Sequence, residues 1–297
     1  MSAPEPGVPR EIEPGLRSVL APNSGPMTHW GTNSFILGEG EVAVIDPGPD
    51  DPAHLAALLA AISGESVTHI LVTHAHADHS PLARRLSDKT GAPILGFGSH
   101  EAGRSAVMQR LAAEGFAGGG EGVDRDFLPD RHIGEGDRVD GTGWTLDVLH
   151  TPGHFAGHLA FRWSNVIISG DHVMDWASSL VSPPDGDLSA FMATSERLRN
   201  LGARRFLPGH GDAIDDPAGR LGWLIAHRKA RAAAILDALT AKLETIEKIT
   251  ARVYIDTPPE LLPAAARNVF AHLIELVELG QAEAVPALSR KATFSRL

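Results

Sequence analysis

His74-Ala75-His76-Ala77-Asp78-His79 places four metal-type side chains within six residues, directly behind the apolar run Val67-Thr68-His69-Ile70-Leu71-Val72. That run is β-branched and apolar enough for a buried strand. In an extended segment residues two apart point the same way, so His74 and His76 are expected to face one ion together. Ser80-Pro81 reads as a helix start, with Ser80 as N-cap and Pro81 as first helical residue, and the turn it imposes aims Asp78 and His79 at a second ion. A solvated polar turn is the plain alternative in a chain with 15 His, but the ordered HxHxDH pattern is far rarer than its residues taken singly.

Three later segments each end an apolar run on one ligand-type residue. Thr151-Pro152-Gly153-His154 follows Trp144-Thr145-Leu146-Asp147-Val148-Leu149, Gly170-Asp171 ends Val166-Ile167-Ile168, and Pro208-Gly209-His210-Gly211 ends Arg205-Phe206-Leu207. Gly or Pro beside each His or Asp lets the backbone turn sharply at that point.

In this order the motifs resemble those of the metallo-β-lactamase-fold hydrolases. The resemblance spans about residues 30 to 215 and implies that His74, His76 and His154 hold one metal, Asp78, His79 and His210 the other, with Asp171 bridging both. It also implies the fold: an α+β chain whose two mixed sheets pack face to face with helices outside, an αββα sandwich with the site at one sheet edge.

Zn²⁺ suits this donor set, and Fe or Mn fits as well, because imidazole and carboxylate are not soft enough to exclude them. Two divalent ions about 3.5–4 Å apart share a water and lower its pKa, so the expected nucleophile is a bridging hydroxide, with Asp78 as the catalytic side chain that orients it. The ions outweigh the carboxylates, which leaves a pocket suited to a carbonyl or phosphate oxygen gaining negative charge.

Further candidates lie close by. Asp46, between Val42-Ala43-Val44-Ile45 and Pro47-Gly48, either orients a ligand His through its second ring nitrogen or serves as an Asx-type turn residue. His158, four residues past His154, and His172, directly after Asp171, either touch substrate, donate a proton, or are ordinary buried imidazoles.

With 297 residues the chain exceeds a typical single domain, so a large unit over residues 1–216 and a small one over 217–297 are expected. Hydrophobic residues at 43% and charged ones at 21% are ordinary for a globular protein. No run approaches the ~18 apolar residues of a membrane span, and Met1 to Pro14 is too polar and Pro-rich for a signal peptide, so the expected compartment is the cytoplasm. Zero Cys removes disulfides and thiolate ligands together. A net charge of −11 argues against a broad nucleic-acid surface.

Along the chain, Ser34 to Leu37 and Val42 to Ile45 read as a hairpin, Pro52 to Ile62 as a helix, Pro93 to Phe97 as a strand and Glu101 to Ala113 as a helix. Gly118-Gly119-Gly120-Glu121-Gly122 reads as a solvent loop or a flexible flap, and Ser182-Pro183-Pro184-Asp185-Gly186 as part of the pocket rim. From Pro217 the pattern turns helical: a long helix with Leu221, Leu224, Ile225, Ile235, Leu236 and Leu239 on one face, then Ile246 to Val253, then Leu261 to Leu279, with a short strand at Ala282 to Val285.

That tail, with His227-Arg228-xx-Arg231 and Ala266-x-Asn268-Val269-xx-His272-Leu273, resembles the C-terminal winged-helix unit of the β-lactamase-like-protein-2 group, as do Gly31-Thr32-Asn33-Ser34 and Ser179 to Pro184. The group includes single-strand RNA endonucleases. Yet Pro259 to Gly280 sets Glu260, Glu275 and Glu278 against Arg267, the wrong sign for phosphate. The tail is therefore expected to pack beside the site or to make a homodimer, with a winged-helix nucleic-acid-binding protein as the non-enzyme alternative. The expected activity is metal-dependent hydrolysis of an ester, thioester or similar bond in a small molecule, with single-stranded RNA cleavage as the alternative. A lactonase that positions substrate through an active-site Tyr is disfavoured, because the lone Tyr254 lies outside the catalytic unit.

Overall fold

Alternating burial along the first strands sets up the layers. In β3 (Asn33–Glu39) and β4 (Glu41–Ile45), Phe35, Leu37, Ala43 and Ile45 face one way while Ile36, Val42 and Val44 face the other, so both faces of the sheet must be covered. The computed structural model describes residues 3–116 and 122–297. β1 (Arg10–Glu13) and β2 (Leu16–Leu20) precede β3 and β4 in an antiparallel meander, and β5 (Ser66–Leu71), β6 (Ile94–Gly96) and β7 (Arg131–His132) extend the same sheet in parallel. The crossovers from β4 to β5 and from β5 to β6 are α1 (Pro52–Ala61) and α2 (Leu82–Thr90), whose Leu55, Leu58, Leu82 and Leu86 cover the outer face. α3 (Ala106–Ala113) lies between β6 and β7 in the chain.

The second sheet runs β8 (Arg138–Gly141), β9 (Trp144–His150), β10 (Leu159–Trp163) and β11 (Val166–Gly170) antiparallel, with β12 (Arg205–Pro208) added in parallel after α4 (Leu188–Arg199). Leu146, Val148, Phe161 and Ile168 meet Phe35, Leu37, Ile45 and Leu71 in the core between the sheets. Ile167 and Phe206 on its outer face pack under Leu198 of α4 and Leu221 and Leu224 of α5 (Pro217–Ala238). The layers are thus helix, sheet, sheet, helix, as the resemblance implies.

Beyond these lie α5's last turns, β13 (Glu244–Thr245), α6 (Ile246–Val253), α7 (Leu262–Glu278), β14 (Ala282–Val285) and β15 (Thr293–Arg296), with the three strands in the order β13-β15-β14. Ile235, Ile249, Phe270, Leu273 and Phe294 form their core, and Met108 and Leu111 of α3 join it. Among the described residues no helix is long and apolar enough to cross a membrane.

Several expectations need correction. Ser80 does not cap α2, which begins at Leu82. Its hydroxyl instead donates to Asp124 Oδ2 (2.6 Å) and reaches the His76 carbonyl (3.2 Å), bracing the HxHxDH loop. That loop is not an extension of the strand either, since β5 ends at Leu71. The helix expected from Glu101 starts only at Ala106, where the Ser105 hydroxyl accepts from Met108 N. The strands β1, β2, β7, β8, β10, β13 and β15 have no counterpart among the strands expected from the sequence. The flap residues Gly118 to Glu121 lie outside the described residues.

Candidate metal centre and cleft

The loops at the ends of β5, β9, β11 and β12 bring His74, His76, Asp78, His79, His154, Asp171 and His210 together at one edge of the sandwich, all buried. They fall into two groups whose ligand atoms lie within 4.8 Å of one another: His74, His76 and His154, and Asp78, His79, Asp171 and His210. The loop 74–79 is propped by 122–124, with Ala77 N donating to Gly122 O (3.1 Å) and Asp124 N to Ala75 O (2.9 Å).

Four of the five rings are aimed from behind. Asp46 sits just past β4 with φ of 51°, a left-handed conformation uncommon for a non-glycine residue and held here by its contacts. Its Oδ1 accepts from Thr73 N (2.7 Å), and its Oδ2 from Thr73 Oγ1 (2.7 Å) and His79 Nδ1 (2.9 Å). Because the Thr73 proton goes to Asp46, Thr73 Oγ1 accepts from His74 Nδ1 (2.9 Å). His154 Nδ1 donates to Leu180 O (2.6 Å) and His210 Nδ1 to Gly31 O (3.0 Å). All four rings therefore turn Nε2 toward the centre, where it becomes a donor lone pair once His79 and His210 give up their protons. Asp46 is thus the orienting residue and not an Asx-turn residue, since the Gly48 N–H bonds to His79 O (2.9 Å) and both Asp46 oxygens go to Thr73 and His79.

The donor chemistry fits divalent cations. His76 Nδ1 lies 2.9 Å from His74 Nε2 and 3.1 Å from His154 Nε2. One ring proton cannot satisfy two lone pairs, whereas three nitrogens around an ion at about 2.0–2.1 Å stand about 3.3 Å apart. In the second group Asp78 Oδ1 and Oδ2, Asp171 Oδ1, His79 Nε2 and His210 Nε2 are buried without a hydrogen-bond partner. His210 Nε2 is 3.0 Å from Asp78 Oδ2, close enough for charge attraction but outside hydrogen-bonding geometry. Buried carboxylate oxygens left in this state are costly unless a cation takes them. Asp171 Oδ2 lies 3.8 Å from His154 Nε2 and 3.3 Å from His210 Nε2, between the groups.

The charges of the two groups differ. Burial, with neighbouring imidazoles, holds His74 well below its ordinary pKa and brings His76 to about 3, so both are neutral donors. Burial also lowers His79 and His210, but the surrounding carboxylates outweigh it and raise both, His210 to about 10. Burial would raise Asp78, and the charges of His79 and His210 nevertheless bring it to about 2.

His158 stands behind the centre: its Nε2 accepts from Asp171 N (3.2 Å), and its Nδ1 is 2.7 Å from Thr151 Oγ1. His172 stacks on Phe191 (4.5 Å between ring centres), with Nε2 3.1 Å from Ser195 Oγ of α4. Both rings are fully buried.

A cleft of about 440 Å³ opens onto His154 and Asp171. One wall is the 174–181 loop, including Trp176 and Leu180; the other comes from the C-terminal unit, including Tyr254, Leu261 and Ala265. Tyr254, discounted above for its place in the sequence, is thus a cleft residue. Nothing local in the sequence marks it, since its approach is made by tertiary packing.

Residues 27–210 match the family described as the metallo-beta-lactamase superfamily. The chain belongs to that superfamily. It is a hydrolase family, and residues 245–289 match its associated winged helix domain, so the C-terminal unit is a winged-helix domain. A "Beta-lactamase-like protein 2 homolog" from Drosophila melanogaster is 30% identical over 277 residues, covering 89% of this chain and 88% of the fly protein. An atrochrysone carboxyl ACP thioesterase from Cryptosporiopsis sp. is 29% identical over 237 residues, 77% of this chain and 64% of its own. The crystal structure of a metallo-beta-lactamase family protein from Thermus thermophilus, 26% identical, matches with a TM-score of 0.76 over 97% of this chain and all of that one.

Proposed function

We infer that the protein hydrolyses an acyl ester or thioester with two divalent metal ions, zinc by preference. His74, His76 and His154 would hold one and Asp78, His79 and His210 the other, with Asp171 shared between them. The observation that carries this is the set of rings turned by Asp46, Thr73, Leu180 and Gly31 so that their Nε2 atoms converge beside partnerless buried carboxylate oxygens. Bound there, such ions supply a Lewis acid and a water acidic enough to attack near neutral pH. Asp78, with both oxygens free of hydrogen bonds, has one to accept the attacking water's proton and hold it in line. Residues 1–216 would do the chemistry, and residues 217–297 would close the far wall of the cleft and keep bulk water out.

The cleft favours an acyl group over a phosphodiester chain. Met27, Trp176, Val181, Leu261 and Ala265 give it apolar walls, and among the described residues the one Lys or Arg lining it, Arg228, is spent on Ser179 O and Asn268 Oδ1. The thioesterase relative supports the same class. α7, the candidate recognition helix, buries Ala265, Ala266, every residue from Val269 to Ile274, and Leu276, so more than one of its faces is covered and it is not free to enter a DNA groove. The test is to strip the protein with chelator, reload it with Zn, Fe or Mn, and assay a panel of acyl thioesters and esters beside single-stranded RNA. Thioester turnover peaking at about two zinc equivalents is expected; RNA cleavage with no acyl turnover would overturn the assignment.

A further inference from the structure

Three helical segments of the C-terminal unit send a directed chain of hydrogen bonds to the cleft. Arg228 in α5 is buried and has only donors to offer; its Nη2 donates to Ser179 O and its Nη1 to Asn268 Oδ1 (3.1 Å). That fixes the Asn268 amide, because the opposite orientation would set donor against donor. Asn268 Nδ2 in α7 must then donate to the Tyr254 hydroxyl, at 2.6 Å. Tyr254, at the end of α6, is held from the other side by Arg231, whose guanidinium lies 4.4 Å over its ring. With its oxygen already accepting, the phenol has its own proton to give, and among the described residues no acceptor takes it. Tyr254 lines the same cleft as His154 and Asp171.

We propose that the Tyr254 hydroxyl is a substrate-binding donor, which selects acyl groups carrying a hydrogen-bond acceptor away from the scissile bond. The winged-helix domain thereby contributes specificity to the hydrolase in an otherwise mainly apolar cleft, where an oxygen on the acyl chain would have to be desolvated and a waiting donor repays that cost. The same chain of bonds also steadies the loop behind the centre, since Arg228 holds Ser179, and the next residue, Leu180, supplies the carbonyl for His154 Nδ1.

This inference rests on the acyl-group reading above, and its test separates the two. Tyr254 is the only tyrosine, so [ζ-¹³C]tyrosine in the zinc-loaded full chain gives a single signal. The probes are two thioester mimics with CH₂ in place of sulfur, one hexanoyl and one 5-oxohexanoyl. The signal should move with the oxo mimic, and Tyr254→Phe should weaken that mimic about tenfold, the upper scale of one neutral hydrogen bond, with little effect on the plain mimic. Binding of the oxo mimic with the signal unmoved, or equal weakening of both mimics with Asn268→Ala reproducing it, would reduce Tyr254 to a structural link and overturn the proposal. Binding and a shifted signal in a protein that hydrolyses neither thioester nor ester would sink the acyl hydrolase reading and leave the role of Tyr254 standing.

Discussion

Replacing Gly209 by alanine adds one methyl group at the tightest point of the centre. The new carbon would lie 2.4 Å from Asp171 Oδ1 and 2.7 Å from His79 Cε1. Ordinary carbon–oxygen contact is about 3.4 Å, so the carboxylate must retreat by about 1 Å. His79 is held, because its Nδ1 is bonded to Asp46 (2.9 Å), so the Asp171 carboxylate, whose Oδ1 has no hydrogen bond to keep it in place, is the group that gives way. The backbone itself accepts alanine, because Gly209 is not among the positive-φ glycines. A shift of about 1 Å in a positioned group costs about 100-fold in rate, or about 2.7 kcal/mol. Overpacking should cost about 1–3 kcal/mol of stability, leaving the protein folded at 25 °C. We therefore expect kcat/KM on a thioester to fall about 100-fold, with elemental analysis of the variant finding fewer than two metal equivalents. A folded Gly209→Ala protein with wild-type turnover and both ions would show that Asp171 need not stand where the structure puts it.

Asp46→Asn leaves one acceptor oxygen where three donors now converge, from Thr73 N, Thr73 Oγ1 and His79 Nδ1. Metal affinity, read by chelator competition, should weaken about 10–100-fold; an unchanged value would mean that the ring orientations are set elsewhere. The raised His79 and His210, held up by Asp78 and Asp171 against burial, carry protons at pH 7 in the metal-free protein. Loading metal must expel those protons, so affinity should climb as pH rises, by up to about tenfold per unit for each proton released. Calorimetry in buffers of different ionisation heat should count about two protons at pH 7; release of none would contradict this charge assignment.

The residues that supply donor atoms were legible because each belongs to a local pattern: HxHxDH, and one His or Asp at the end of an apolar run. What aims them was not. Leu180 O and Gly31 O are backbone carbonyls, which any residue could supply, and Gly31 is 179 positions away from His210. Thr73 reads as the end of a strand until the Asp46 carboxylate is seen above it. The strands β1 and β2 carry little signal because Arg17 and Ser18 break a short apolar run whose partner strand lies at the exposed sheet edge. Met108 and Leu111 lie on a helix within residues 1–216, yet they fill the core of the other unit, a pairing that no periodicity reports.

The helix α5 settles how the cleft can work. It runs unbroken for 22 residues, about 33 Å, with Leu221 and Leu224 embedded beneath the second sheet and Ile235 embedded among Phe270 and Phe294. A strut seated in both cores does not hinge without breaking its own ladder of hydrogen bonds, and α3 ties the units a second time. The winged-helix domain is then the fixed jaw of a caliper, its gap set when the chain folds. Relatives built on the same strut would change what they accept by trading side chains on the jaw, at Ala264 and Ala265, with no motion to retime.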